Sequence, residues 1–493
     1  MQLTLKSAVN VLKTPAVGYL ALILVLLIGC ILRIYSADLP SQGDEGVYMY
    51  QAKEIFLGNK PYTGFFMGHP PLNDYLTALS FRLFGVGIWQ GKLVNLLFSL
   101  ASMPLIFIVA RRFYGFYPAF FSTLLFSLSP AVISFTKDIW LVSAPLFFSL
   151  LSSYYLLVGM EEDSRRKLFF AGLSAGIAML CKFTSIVIIA SILAYMLLRR
   201  AGMRRLITFL AGFFVIFTPF IVWFYSPGFI NQIFIYHLSK VSYSVFDKIK
   251  LTLYTGFGAY SLLMAYGLFG LASIWANRKE LSEADIFYSI NAIMALLFVI
   301  LIKYAAYLGP ALYLAPSIYA FAILSSKSLK YTNTTFVILF VYLFLFTVLV
   351  IDVQFLSCFP ISSELFLNDA RAASEYVNKN SDPADFMVVD DFRAYFVAFL
   401  SDRKIVPQLL ELNPYRFTSG LEIDSLKELK GKAKYSIMYD DPTSRDYLKR
   451  IPVWLSLGDD SRREWGLLYE KTLYENTSLV ARFGNITIYR NNQ

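Results

Sequence analysis

Residues 16–45 read AVGYLALILVLLIGCILRIYSADLPSQGDE. Residues 16–35 form an apolar run of roughly the 20 residues that cross a bilayer as a helix. A polar loop follows, and the adjacent carboxylates Asp44-Glu45 stand in it. An ionisable pair held beside hydrocarbon is costly, and at a bilayer surface it is a functional-site hypothesis by default. A lone acidic pair on a loop is more often solvated surface. The neighbourhood argues against that here: His69-Pro70-Pro71-Leu72 follows on the same loop, and the chain has only two histidines.

The first run is one of about eleven. Apolar segments recur at 93–110, 117–135, 139–159, 168–181, 183–198, 206–225, 253–276, 286–302, 305–325 and 335–355. Segments 168–181 and 183–198 need a tight turn at Lys182, or they merge into one long helix. Segment 72–88, broken by Asp74, Arg82 and several glycines, reads as an amphipathic interfacial helix. Composition agrees with a membrane chain. Hydrophobic residues make up 57% of the 493 and charged residues 16%, where a soluble chain carries about 25% charge. Mean hydropathy is +0.55.

The net charge of +10 has a position. Residues 361–493 hold 18 Lys+Arg against 20 Asp+Glu, and residues 1–360 hold 26 against 14. The excess lies wholly in the apolar part, so it is a topology signal and not a nucleic-acid surface. One set of connections carries Lys6, Lys13, Arg111, Arg112, Arg165, Arg166, Lys167, Arg199, Arg200, Arg204, Arg205, Arg278, Lys279, Lys327 and Lys330. These are expected to be cytoplasmic. The Asp44 loop, Lys137-Asp138, Lys182, the 226–252 loop with His237, and Lys303-Tyr304 are then external. With the N-terminus cytoplasmic and eleven spans, the C-terminal part is extracytoplasmic and the protein sits multi-pass in the cell membrane. A cleaved signal peptide is the competing reading of residues 1–37, but Tyr35-Ser36-Ala37 lacks a small-x-small site. Cys30, Cys181 and Cys358 have neither disulfide nor zinc spacing.

The division expected is a transmembrane unit at 1–360, its first external loop at about 36–92, and a small α/β unit at 361–493. In the latter, helical patterns at Asp369–Asn380, Phe392–Ser401 and Ile423–Leu429 alternate with strand patterns at 386–389, Tyr435–Met438 and Asn485–Tyr489. It contains no GxGxxG, P-loop or GxSxG. Sequons stand at Asn476 and Asn485, and at Asn333 on the side expected to be cytoplasmic.

The external set collects carboxylates (Asp44, Glu45, Asp138), histidines (His69, His237) and cations (Lys137, Lys182, Lys303). A carboxylate beside a His or Lys suits proton abstraction from a hydroxyl. Cations near the headgroups suit a lipid phosphate. Glu45 with His237 offers ligands to a divalent metal. Each has a plainer reading: Asp138 as a helix cap, the lysines as snorkelling chains, the histidines as buttresses of their loops.

The arrangement resembles the GT-C class of polyprenyl-phosphate-sugar glycosyltransferases, in particular the protein O-mannosyltransferase and aminoarabinose-transferase branch. The stretches that carry it are Leu39-Pro40-Ser41-Gln42-Gly43-Asp44-Glu45 through Tyr50, Gly68-His69-Pro70-Pro71-Leu72, Arg111-Arg112-Phe113-Tyr114-Gly115, Thr136-Lys137-Asp138, Leu180-Cys181-Lys182-Phe183-Thr184, and Lys303-Tyr304 with Tyr307, Pro310 and Pro316. The resemblance implies an inverting hexosyl- or pentosyltransferase. Its donor is a dolichyl or undecaprenyl phosphate sugar, and its acceptor is a hydroxyl of protein, lipid or glycan. It makes Asp44 the base and Glu45 a partner in positioning acceptor or metal. Asp138 becomes the second acidic position, and Lys182, Lys303, Tyr304 and Lys137 stand on the substrate side. His69 replaces a lysine of some relatives and is expected to bond Asp44. No cofactor is required, with a divalent cation as the variant. The Trp-Trp-Asp-Tyr-Gly motif of oligosaccharyltransferases is absent. The rival classes are a lipid-linked-sugar flippase or transporter, which calls for charges within spans and inverted repeats, and a non-catalytic glycan-assembly protein.

Overall fold

The structure is a computed structural model. It describes residues 15–35, 37–41, 44–239, 244–258, 261–276, 278–302, 314–328, 353–390, 393–412, 422–439 and 471–492. Among these, five helices are long and apolar enough to cross a membrane: Ala16–Ile34, Ile88–Tyr114, Ser143–Glu161, Met203–Phe224 and Glu283–Leu301. The bent pair Phe116–Leu128 and Pro130–Lys137 counts as a sixth if taken as one span. Phe183–Leu198 and Leu263–Ala276 are shorter apolar helices. Most of the expected segment 335–355, and the first part of 305–325, lie outside the described residues.

Two helix breaks position polar groups. Pro130 cannot donate into the preceding turn and forces Ser129 into an extended conformation (φ −67°, ψ 121°). The chain turns by 62° there, and the short helix Pro130–Lys137 ends at Asp138. At Lys182 (φ −161°, ψ 129°) the helix Arg165–Cys181 stops, and a 3₁₀ turn leads into Ile186–Leu198. The tight-turn reading therefore holds over a single long helix.

Arg165–Cys181 and Met203–Phe224 pack backbone to backbone. A Cβ on Gly172 would lie 1.9 Å from the Phe209 carbonyl oxygen, and one on Gly212 2.0 Å from that of Phe169. Small residues permit this approach in a membrane, where helix contact depends on close packing.

Charged side chains separate to the two ends of the bundle. Arg112 pairs with Glu161 at 2.8 Å, Arg205 with Asp163 at 2.8 Å and Lys327 with Asp285 at 2.8 Å; Arg199 bonds Glu283 and Lys167 bonds Glu162. These residues belong to connections read as cytoplasmic. The Asp44 cluster occupies the other end.

Near the C-terminus a five-stranded sheet forms from β1 (Phe386–Val389), β2 (Lys404–Ile405), β3 (Ala433–Tyr439), β4 (Thr477–Phe483) and β5 (Ile486–Asn491). Their order is β2-β1-β3-β5-β4. β1 is parallel to β2 and β3, and β5 is antiparallel to β3 and β4. The helix Val353–Asn380 leads into the sheet and runs through the boundary expected at 361. One face of the sheet, with Val389, Ile437 and Ile488, shares a core with Val47, Tyr50 and Phe81 of the first loop. The Tyr50 hydroxyl accepts from Ile405 N at 2.9 Å, and Lys53 Nζ donates to the carbonyls of Phe399 and Ser401, each at 2.8 Å. The other face covers Val406, Leu426 and Leu473.

Candidate functional site

The site starts from the helix Glu45–Phe56, which Asp44 caps. The two adjacent carboxylates part company there. Glu45 is fully buried and Asp44 half-exposed. Glu45 Oε2 accepts from Ser41 N at 2.6 Å, and Oε1 from Ile139 N at 3.2 Å. Lys92 Nζ, also fully buried, lies 3.2 Å from Glu45 Oε1, donates to Asp138 Oδ1 at 2.7 Å and to the Leu39 carbonyl at 2.7 Å. All three ammonium donors are thus used. Lys137 Nζ stands 3.7 Å from the same Asp138 oxygen. A desolvated cation between two carboxylates holds only while every lone pair and proton is satisfied. In this triad all three ammonium protons and both Glu45 oxygens are engaged, and it knits the first loop, the start of Ile88–Tyr114 and the Asp138 turn into one unit.

Asp44 belongs to a second, more open group. Its Oδ2 accepts from the Tyr48 hydroxyl at 3.1 Å. Burial pushes the Tyr48 phenol well above its ordinary pKa, and the charges of Asp44 and Glu411 add to the shift, so it stays a donor. The edge-to-face partner of Tyr48 is His69, with ring centroids 4.9 Å apart. His69 Nε2 pairs with Asp74 Oδ2 at 3.0 Å. The bond expected from His69 to Asp44 is replaced by this one, because Pro70-Pro71 start the helix Leu72–Phe84 and place Asp74 in its first turn. Tyr48 links His69 to Asp44. Lys182, at the turn outside both of its helices, donates to the Trp140 carbonyl at 2.9 Å. Burial pulls its ammonium down to about 8, with Asp44 acting in the opposite direction. An ammonium on that margin, next to a carboxylate, can take an anionic oxygen.

The structure therefore gathers Asp44, Glu45, His69, Lys137, Asp138 and Lys182 at one end of the bundle. Lys303 and Tyr304 lie outside the described residues. His237 Nε2 faces the Gly68 carbonyl at 2.5 Å, and both Glu45 oxygens are engaged as above. Among the described residues no group of three or more His, Cys, Asp or Glu could hold a metal ion. Sequence reasoning missed Lys92, Asp74 and Glu411. Lys92 has one signal, a cation directly before an apolar span; Asp74 was visible as an interruption of an apolar helix; Glu411 had none.

Residues 68–224, which include His69, Lys92, Asp138 and Lys182, match the family model described as dolichyl-phosphate-mannose-protein mannosyltransferase. The structure of ArnT from Cupriavidus metallidurans bound to undecaprenyl phosphate superposes with a TM-score of 0.68 at 18% identity, covering 97% of this chain and 98% of that one. This is a GT-C fold. The archaeal oligosaccharyltransferase AglB from Archaeoglobus fulgidus, solved with an inhibitory peptide and a dolichol-phosphate, shares the GT-C fold at a TM-score of 0.58 and 12% identity, over 98% of this chain and 75% of that one. An uncharacterized protein of Aquifex aeolicus is 26% identical over 434 residues, 83% of each chain. At such identities the solved structures speak for the GT-C fold, and the chemistry rests on the side chains.

Proposed function

We propose that this protein is an integral membrane glycosyltransferase. It moves a hexose or pentose from a polyprenyl (dolichyl or undecaprenyl) phosphate to an acceptor hydroxyl of protein, lipid or glycan at the external face of the cell membrane, with inversion. The observation that carries this reading is the asymmetry of the Asp44-Glu45 pair. Glu45 is buried and locked by two backbone amides and Lys92, whereas Asp44 is half-exposed, with the Tyr48 hydroxyl donating to it. A general base must be reachable by the proton it takes, and Asp44 is the reachable carboxylate.

In the step proposed, the acceptor oxygen attacks the anomeric carbon and its proton passes to Asp44. The bond from that carbon to the phosphate oxygen breaks, and polyprenyl phosphate leaves with the electron pair. Lys182 receives the leaving phosphate; Lys137, Lys303 and Tyr304 are assigned to the same side. Fixed cations at a dry site stabilise such charge strongly. Glu45 and Asp138 hold the frame through Lys92. His69 supports Tyr48. Residues 1–360 are the membrane transferase unit and 361–493 the extracytoplasmic α/β unit, with the N-terminus cytoplasmic. The phosphate-side lysines make a metal unnecessary, and the oxygens that Glu45 would offer to one are already bonded.

The test is transfer from a panel of radiolabelled polyprenyl-phosphate sugars to native membrane extract, by protein in nanodiscs. Wild type is expected to move label and Asp44→Asn to lose at least about 100-fold, on the scale of removing a general base. Transfer is also expected to survive a chelator. Label moved equally by Asp44→Asn sinks the base assignment; no label moved from any donor by folded protein favours the transporter reading.

A further inference from the structure

Glu411 belongs to the C-terminal unit yet meets the first loop. It follows the turn Pro407–Leu409 and has φ +59°, a left-handed conformation that a residue with a Cβ adopts only when its surroundings impose it. The surroundings are the buried Leu410 and Leu412 on either side, with Leu412 N donating to the Tyr395 hydroxyl at 3.2 Å. The strained backbone sends the Glu411 carboxylate toward residues 66–69.

There, Glu411 Oε2 accepts from Gly68 N at 2.9 Å and lies 3.4 Å from Gln51 Nε2. A Cβ on Gly68 would stand 3.1 and 3.2 Å from the two carboxylate oxygens and 3.1 Å from the Tyr236 ring. A side chain at Gly68 would crowd the carboxylate and push it by a few tenths of an ångström. The rest of the segment is held from several directions. Phe66 N donates to Pro407 O at 3.3 Å, Met67 N to Gln232 Oε1 at 2.8 Å, and the Tyr62 hydroxyl to the His69 carbonyl at 2.7 Å. From Gly68 the path to the proposed base is short. His69 is the next residue, its ring supports Tyr48, and Tyr48 donates to Asp44.

We propose that Glu411 is a positioning residue for Asp44: its carboxylate, delivered by the C-terminal unit, fixes Gly68 and through it the His69–Tyr48 pair that orients the base. This rests on Asp44 being that base. The C-terminal unit is then part of the catalytic apparatus. The role depends on reach and hydrogen-bond acceptance, not on charge.

The experiment uses full-length protein in nanodiscs and whichever polyprenyl-phosphate sugar of the panel wild type turns over. It measures kcat and donor KM for Glu411→Gln, Glu411→Asp, Gly68→Ala and the double variant Gly68→Ala with Glu411→Asp. Glu411→Asp, a methylene too short for Gly68 N, is expected to lower kcat by about 10- to 100-fold, the scale of a misplaced catalytic group. Donor KM should stay within about 2-fold, because the phosphate side is untouched. Glu411→Gln, which still accepts from Gly68, is expected to recover kcat to within about 3-fold of wild type. Gly68→Ala should fall like Glu411→Asp, and the double variant no further than the worse single, since both break one contact. Additive losses, wild-type kcat in Glu411→Asp, or a failing Glu411→Gln beside a working Glu411→Asp would each overturn the proposal. Asp44→Asn in the same assay separates the two ideas. If it retains transfer, the base assignment falls whatever Glu411 does; if it is dead while the Glu411 variants are normal, only the positioning role falls.

Discussion

At the scale of single residues, neighbouring carboxylates with the same chemistry are given different work by their surroundings. Glu45 is buried and fully bonded, and Asp44 keeps solvent access. The residue responsible is Lys92, whose single ammonium bridges Glu45 and Asp138. Its removal leaves two buried carboxylates facing each other. Lys92→Met is therefore expected to destabilise the protein by about 3–5 kcal/mol, the range for breaking a buried ion pair. Adding Glu45→Gln and Asp138→Asn should recover part of the loss. Thermal unfolding of the detergent-solubilised protein checks this, and an unchanged midpoint in Lys92→Met would remove the triad from the account. The motif Asp44-Glu45 was legible in the chain. Its division of labour was not, because Leu39, Lys92, Asp138 and Ile139 meet Glu45 only in three dimensions.

At the scale of elements, helix breaks matter more than helices. Pro130 and Lys182 end helices where polar groups are needed; the break at Lys182 was visible as a lone lysine in apolar sequence, whereas the bend at Pro130 divides the segment 117–135 that was read as one run. Helix contacts were not visible. The pair Arg165–Cys181 and Met203–Phe224 depends on Gly172 and Gly212 facing the opposite backbone. Gly172→Val is expected to force these helices apart and cost about 1–3 kcal/mol, as overpacking does. Gly431→Ala, with open space at its Cβ position, serves as the neutral control. Melting of the two variants side by side decides it; equal midpoints would mean the close approach is not needed. In the C-terminal unit the strand patterns at 386–389, Tyr435–Met438 and Asn485–Tyr489 became β1, β3 and β5. β2 has only two residues, and β4 is a largely exposed strand at the sheet edge. Neither shows the buried run or clean alternation that marks a strand in sequence.

At the scale of the molecule, the C-terminal unit braces the helix that carries the acidic pair. Tyr50 and Lys53 bond it directly, and one core joins its sheet to the first loop. Ending the chain at Asn380 strips that face of its cover. Such a protein is expected to lose transfer and to become protease-sensitive within the Glu45–Phe56 helix. Limited proteolysis of truncated and full-length protein in nanodiscs is the measurement, and an equally resistant, active truncation would make the unit a mere cap.

The sequence by itself determined that this is a many-span membrane chain, that Asp44, Glu45, Asp138 and Lys182 fall on one set of its connections, and that alternating helix and strand patterns follow toward residue 493. Periodicity, hydropathy and charge asymmetry are local properties, and a linear reading recovers them. Only the tertiary structure decided that Glu45 is buried and locked while Asp44 is half-exposed, that His69 answers to Asp74, that Lys92 joins three segments, and that Glu411 comes to Gly68 from 343 residues away along the chain. Those are pairings between distant segments. Their energies depend on burial and distance, which no residue carries in its own neighbourhood of the sequence.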